Sequence, residues 1–169
     1  KVTGCEKIGS FNIYVEQPPT PVIIAPTDVI CVDYNTQQVV RSLVLTATNT
    51  TVYLPGTTPL TYTYQWYDEA GVAIPGATSQ TYEVVDALPD TISSDFTVVM
   101  TSTSVQGCSD ESLPFTVLQS GQAVAIGVGY EVSNAFSDMQ TITVTVTGYG
   151  TYLYSLDGGP RQTSNVFEN

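Results

Sequence analysis

The chain has 169 residues, 4 basic and 16 acidic side chains, a net charge of −12 and no histidine. That charge repels phosphate backbones and anionic membrane surfaces, and no apolar run approaches the ~18 residues of a spanning helix, so nucleic acid and membrane insertion are disfavoured as partners. Without histidine the imidazole-dependent triads and most catalytic zinc sites are closed, and the only lysines, Lys1 and Lys7, leave no amine nucleophile for the body of the chain. The expectation is a protein that is not an enzyme.

In chain order, Gly4, Cys5 and Phe11–Val15 recur as Gly107, Cys108 and Phe115–Leu118, and Cys5 and Cys108 lie 103 residues apart. A period near that length fits tandem β-sandwich domains and is too long for a solenoid repeat. Residues 1–17 therefore read as the final strands of a preceding domain, and Gln17-Pro-Pro-Thr-Pro21 as a stiff extended linker. Residues 18–119 read as one complete immunoglobulin-like sandwich, and 120–169 as the start of a further β-rich domain, truncated.

Within 18–119 the apolar side chains alternate with the period of two that a half-buried strand needs. Leu43, Leu45 and Ala47 form one such face, and Tyr62, Tyr64 and Trp66 a second. Phe96, Val98 and Met100 form a third, followed by Phe115 and Val117. Turn signals punctuate them at Pro55-Gly56, Glu69-Ala-Gly71, Pro75-Gly76, Pro89-Asp90 and Gly107. In the last segment a strand is expected from Val124 to Val132. Ile142, Val144 and Val146 alternate with threonines, and Tyr152, Tyr154 and Leu156 lead into a hairpin turn at Asp157-Gly158-Gly159. The fold class is all-β: tandem immunoglobulin-like sandwiches joined by short proline-rich linkers.

Cys31 and Cys108 fall in the same expected domain, so a disulfide between them is the natural pairing, with Cys5 bonded to an upstream domain; three buried free thiols are the alternative. Trp66 comes 35 residues after Cys31, so the bridge would clamp the domain's ends and not pin its core. Asp28, Asp33, Asp86, Asp90, Asp95, Asp110 and Glu111 are oxygen donors suited to calcium, against the ordinary reading of solvated turn acids; no Asp-x-Asp-x-Asp-Gly loop is present, and no cofactor is expected. Tyr149, Tyr152 and Tyr154 could stack on sugar rings, but the alternation of the last two argues for core.

The run Tyr64-Gln-Trp-Tyr67, with Ala73-Ile-Pro-Gly-Ala-Thr78 and Tyr82, resembles the core of immunoglobulin-like repeats in giant secreted proteins of Bacteroidetes. Tyr152-x-Tyr-Ser-Leu-Asp-Gly-Gly-Pro160 followed by Asn165-Val-Phe-Glu-Asn169 is similar to repeats of large Flavobacterium-type gliding-motility adhesins exported by the type IX secretion system. The sorting domain of that system has no counterpart in these residues. Asp90-Thr91-Ile92 resembles the motif at which such bacteria attach O-linked glycans, which would make Thr91 a modification site.

The resemblance implies an extracellular, cell-surface filament or stalk protein that contributes to attachment or gliding. Its implied partners are neighbouring repeats of the same or identical chains, surface polysaccharide, and the type IX machinery during export. The competing reading is an accessory glycan-binding or spacer sandwich of a secreted polysaccharide-degrading enzyme.

Overall fold

The computed structural model describes residues 9–10, 15–53, 60–88, 92–133 and 139–168. Among them no helix forms; the chain is all-β. The strands are β1 (Pro21–Ile24), β2 (Val29–Asp33), β3 (Gln38–Asn49), β4 (Tyr62–Tyr67), β5 (Thr81–Asp86), β6 (Ser93–Ser102), β7 (Ser109–Glu111), β8 (Phe115–Ser120), β9 (Val124–Ser133), β10 (Thr141–Thr147) and β11 (Val166–Glu168).

The first eight strands form one curled sheet whose halves enclose a core, as in a β-sandwich. One half is β1, β3 and β5, with β3 paired to both neighbours. The other is β4, β6 and β8, with the short β7 also on β6. β2 stitches them, antiparallel to β3 through Cys31–Asp33 and parallel to β8 through Val29–Cys31. Long β6 is shared as well: Ser93–Phe96 pair with β8, while Thr97–Ser102 pair with β4.

The alternation read from the sequence points where the pleat requires. Leu43, Leu45, Ala47, Trp66, Phe96, Val98, Met100 and Val117 are all buried, joined by Ile23, Ile30, Val32, Val84 and Leu88. Trp66 is fully buried, and its indole nitrogen donates to the Ser79 carbonyl at 2.9 Å. Its ring lies 5.8 Å from Tyr82, which lies 5.7 Å from Phe96, so one aromatic chain crosses from β4 through β5 to β6. Burial pushes the Tyr82 phenol up, with the Asp86 and Asp68 charges adding to the effect.

One buried polar side chain closes the core. Gln119 accepts from the Leu88 amide at 2.6 Å and donates to the Leu88 carbonyl at 3.3 Å, satisfying both backbone groups where the chain leaves β5 for β6.

The expected linker behaves differently from the sequence reading. Pro19 and Pro21 are buried, and Pro21 opens β1. Thr20 accepts through its carbonyl from Thr50 N and donates through its amide to the Asn49 side chain, at 3.0 and 2.8 Å. The proline run was legible as extended backbone, but a proline is also tolerated as the first residue of an edge strand, and packing against β3 settles which applies.

Beyond Ser120, β9, β10 and β11 form a separate three-stranded antiparallel sheet in the order β11-β10-β9. The register between β9 and β10 slips between Val144 and Val146, where residues 126–129 bulge away and leave Val128 80% exposed. Leu156–Gly159 form the expected turn, with positive φ at Asp157 and Gly158, and Tyr154 and Gln162 exchange backbone bonds of 2.8 and 2.9 Å across it. Tyr152 and Tyr154 are half-buried and do not extend into a named strand.

Candidate functional site at the two poles of the sandwich

Cys5, Asp90 and Thr91 lie outside the described residues. Cys31 and Cys108 are both free thiols, half-buried. Strand register gives the reason. Cys31 is level with Ser120, just past the pairing of Leu118 with Ser93 at the start of β6. Cys108 is level with Ser102 at the end of β6, its carbonyl accepting from Ser102 N at 2.9 Å. A ten-residue strand separates the two levels by about 30 Å, against the ~7 Å Cα separation a disulfide tolerates. The end-to-end clamp expected from the sequence is therefore not formed; the two cysteines mark opposite poles.

The acidic residues are dispersed. Among the described residues no three His, Cys, Asp or Glu side chains gather into a metal-sized group. Asp95 accepts from the Thr116 hydroxyl at 2.6 Å, Glu111 from the Thr97 hydroxyl at 2.7 Å, and Asp33 organises a turn. Trp66 belongs to the core, as its alternation indicated.

At the first pole, Asn49 donates to the Tyr53 and Tyr62 hydroxyls at 2.8 and 2.9 Å, and those two hydroxyls also bond each other. Glu16, ahead of the prolines, accepts from the Ser104 hydroxyl on the β6–β7 connection, and Thr51 donates to the Pro18 carbonyl at 3.2 Å. The chain thus enters the sandwich along a hydrogen-bonded track. The other Glu16 carboxylate oxygen is buried without a partner. Burial first, then the Tyr53 hydrogen bond and the neighbouring charges of Tyr53 and Glu16, raise the Tyr62 phenol far above its ordinary value.

At the second pole, Asp33 caps the turn between β2 and β3. Its carboxylate accepts from Asn35 N and Thr36 N, both at 2.9 Å, and from the Thr36 hydroxyl at 3.1 Å, while its carbonyl accepts from Gln37 N at 2.8 Å. The Thr36 amide and hydroxyl hold the Asp33 carboxyl below its ordinary range. Gln37 sits in left-handed backbone at φ 57°, a conformation uncommon for a non-glycine residue.

Onto this turn comes Tyr149, from the loop after β10. Its ring meets Tyr34 edge-on at 5.2 Å and 61°, and its hydroxyl donates to the Gln37 carboxamide oxygen at 2.5 Å. Its carbonyl accepts from Gly121 N at 2.9 Å, and the Tyr152 hydroxyl donates towards the Gly121 and Tyr149 carbonyls, each at 3.2 Å. Burial, with a smaller push from Tyr154, raises the Tyr152 phenol. A Cβ on Gly121 would come within 3.0 Å of the Val32 carbonyl oxygen, so this close approach of backbones admits only glycine.

Chemically, the two poles offer packing and hydrogen bonding between neighbouring segments of chain. Tyr149, one of the three tyrosines that could stack on sugar rings, packs its ring edge-on against Tyr34. Gln37 carried no signal, and Gly121 was visible only as the start of the third segment. No family model matches the chain, and neither a curated protein nor a solved structure matches it.

Proposed function

We propose that this chain is a non-catalytic structural and adhesive segment of an extracellular surface filament or stalk, with an immunoglobulin-like sandwich held in line with the module that follows it. The observation that carries this reading is the placement of chain-to-chain packing at both poles of the sandwich. Glu16 and Pro19 anchor one end, and Gly121 and Tyr149 the other. A module traversed from pole to pole separates its attachments by the length of its strands, which is what reach requires.

An acidic, lysine-poor surface suits solubility outside the cell. By resemblance of the Tyr64–Tyr67 and Tyr152–Pro160 runs, the parent protein is a Bacteroidetes gliding-motility adhesin exported by the type IX route.

Immunogold imaging of cells carrying the native protein tests the proposal. Label on thin extensions beyond the outer surface, with loss of attachment or gliding on deletion of the gene, is the expected result. Label confined to the cell interior, or unchanged attachment and gliding in the deletion strain, would overturn it.

A further inference from the structure

We infer that the Asp33–Gln37 turn is a docking socket for Tyr149, and that this lock makes the sandwich and the three-stranded sheet a single rigid body. Sequence-distant groups converge here: Tyr149 lies 112 residues from Gln37, yet its ring, hydroxyl and carbonyl each engage the sandwich or its exit strand.

The socket's own bonds do not involve Tyr149. Asp33 fixes the turn through two amides and a hydroxyl. The Gln37 carboxamide is aimed by its own bond to the Tyr34 carbonyl at 2.6 Å, which leaves its oxygen facing the Tyr149 hydroxyl. Gln37 holds a left-handed backbone that a glycine would adopt at lower cost. Strain of this kind persists where the surrounding contacts over-determine it, and the side chain is the one part of Gln37 that reaches the following module.

Gly121 ties the connecting backbone to the same lock: its amide donates to the Tyr149 carbonyl, and a side chain at this position would collide with the Val32 carbonyl oxygen. Beside the lock lies a cavity of about 290 Å³ lined by Cys31, Asp33, Tyr34, Val40, Ser120 and Gln122. This gap leaves space between the sandwich and the start of β9, so close packing at that place does not fix the angle.

The use of a fixed angle in a stalk rests on the filament or stalk reading above; the lock itself does not. Residual dipolar couplings of the full chain separate the two. In the native sequence one alignment tensor should fit the amides of β3, β6, β9 and β10 together. Gln37→Gly keeps the turn's backbone and removes only the reaching carboxamide; it should split the data into two tensors while leaving the sandwich's urea midpoint unchanged or higher. Tyr149→Ala should split them likewise, and if that change melts the small sheet, Gln37→Gly decides alone. Two tensors in the native chain, or a single tensor retained in Gln37→Gly, would overturn the lock. Failed surface imaging with a single native tensor would overturn the stalk and leave the lock standing.

Discussion

Replacing Gln119 with alanine tests whether the sandwich depends on the buried carboxamide that faces the Leu88 backbone. Gln119 is 3% exposed on β8, and its side chain answers both the amide and the carbonyl of Leu88. Alanine strands both groups in an apolar surrounding and leaves a void. At about 1–3 kcal/mol for each of the two unsatisfied buried groups, the loss should total about 2–6 kcal/mol. With a urea m-value of about 1.5 kcal/mol per molar, the unfolding midpoint should fall by about 1.3–4 M. Trp66, the sole tryptophan and fully buried, reports that transition by fluorescence. Gln119→Glu sharpens the argument. A protonated carboxyl can still accept from Leu88 N and donate to Leu88 O, but a carboxylate cannot donate. Burial raises the folded pKa of the new acid, so its stability should be full below the unfolded value near ~4.3 and be lost as pH rises through the folded one. A midpoint change under about 0.3 M for the alanine variant, equivalent to ~0.5 kcal/mol, would refute the reasoning.

Other outcomes follow from the same geometry. Trp66→Phe removes the bond to the Ser79 carbonyl and part of the ring that meets Tyr82, and should cost about 2 kcal/mol in thermal or chemical unfolding followed by circular dichroism. Alkylation of the unfolded, unreduced chain should label both Cys31 and Cys108, since each is free; recovery of a linked Cys31–Cys108 peptide would contradict the register that holds them at opposite poles. The lowered Asp33 pKa means its hydrogen-bonded carboxylate stabilises the turn above its unfolded value of 3.8, and this contribution should disappear as pH falls through the still lower folded value. Protection of the Asn35 and Thr36 amides, taken relative to their intrinsic exchange rates, should fall over that acid window in the native protein, and at neutral pH in Asp33→Asn only modestly, because the amide side chain retains an acceptor oxygen.

Much of the sandwich was legible because its strands alternate. Leu43, Leu45 and Ala47, then Phe96, Val98 and Met100, declared both their period and their buried side before any contact was known. What escaped was non-local or conditional. Ile23 sits behind a proline that reads equally as linker, and β2 and β7 are too short for periodicity to register. The pairing of Cys31 with Cys108 looked natural because both fell in one domain; only the register of β6 against β7 and β8 reveals how far apart one domain can hold two residues. Gln119 is polar and reads as outward or terminal until the Leu88 backbone is seen opposite it. The second pole was the least legible, because the partners of Tyr149 are a turn residue in an unusual backbone conformation and an aromatic ring more than a hundred residues away. No spacing rule connects such groups.

Small-angle X-ray scattering of the purified chain bears most directly on the claim that it provides reach. A compact globule of this length would have a radius of gyration of about 15 Å. Modules packed pole to pole predict a clearly larger radius and a skewed, extended distance distribution that does not change with protein concentration. A radius near that compact value, with a symmetric distribution, would contradict the account.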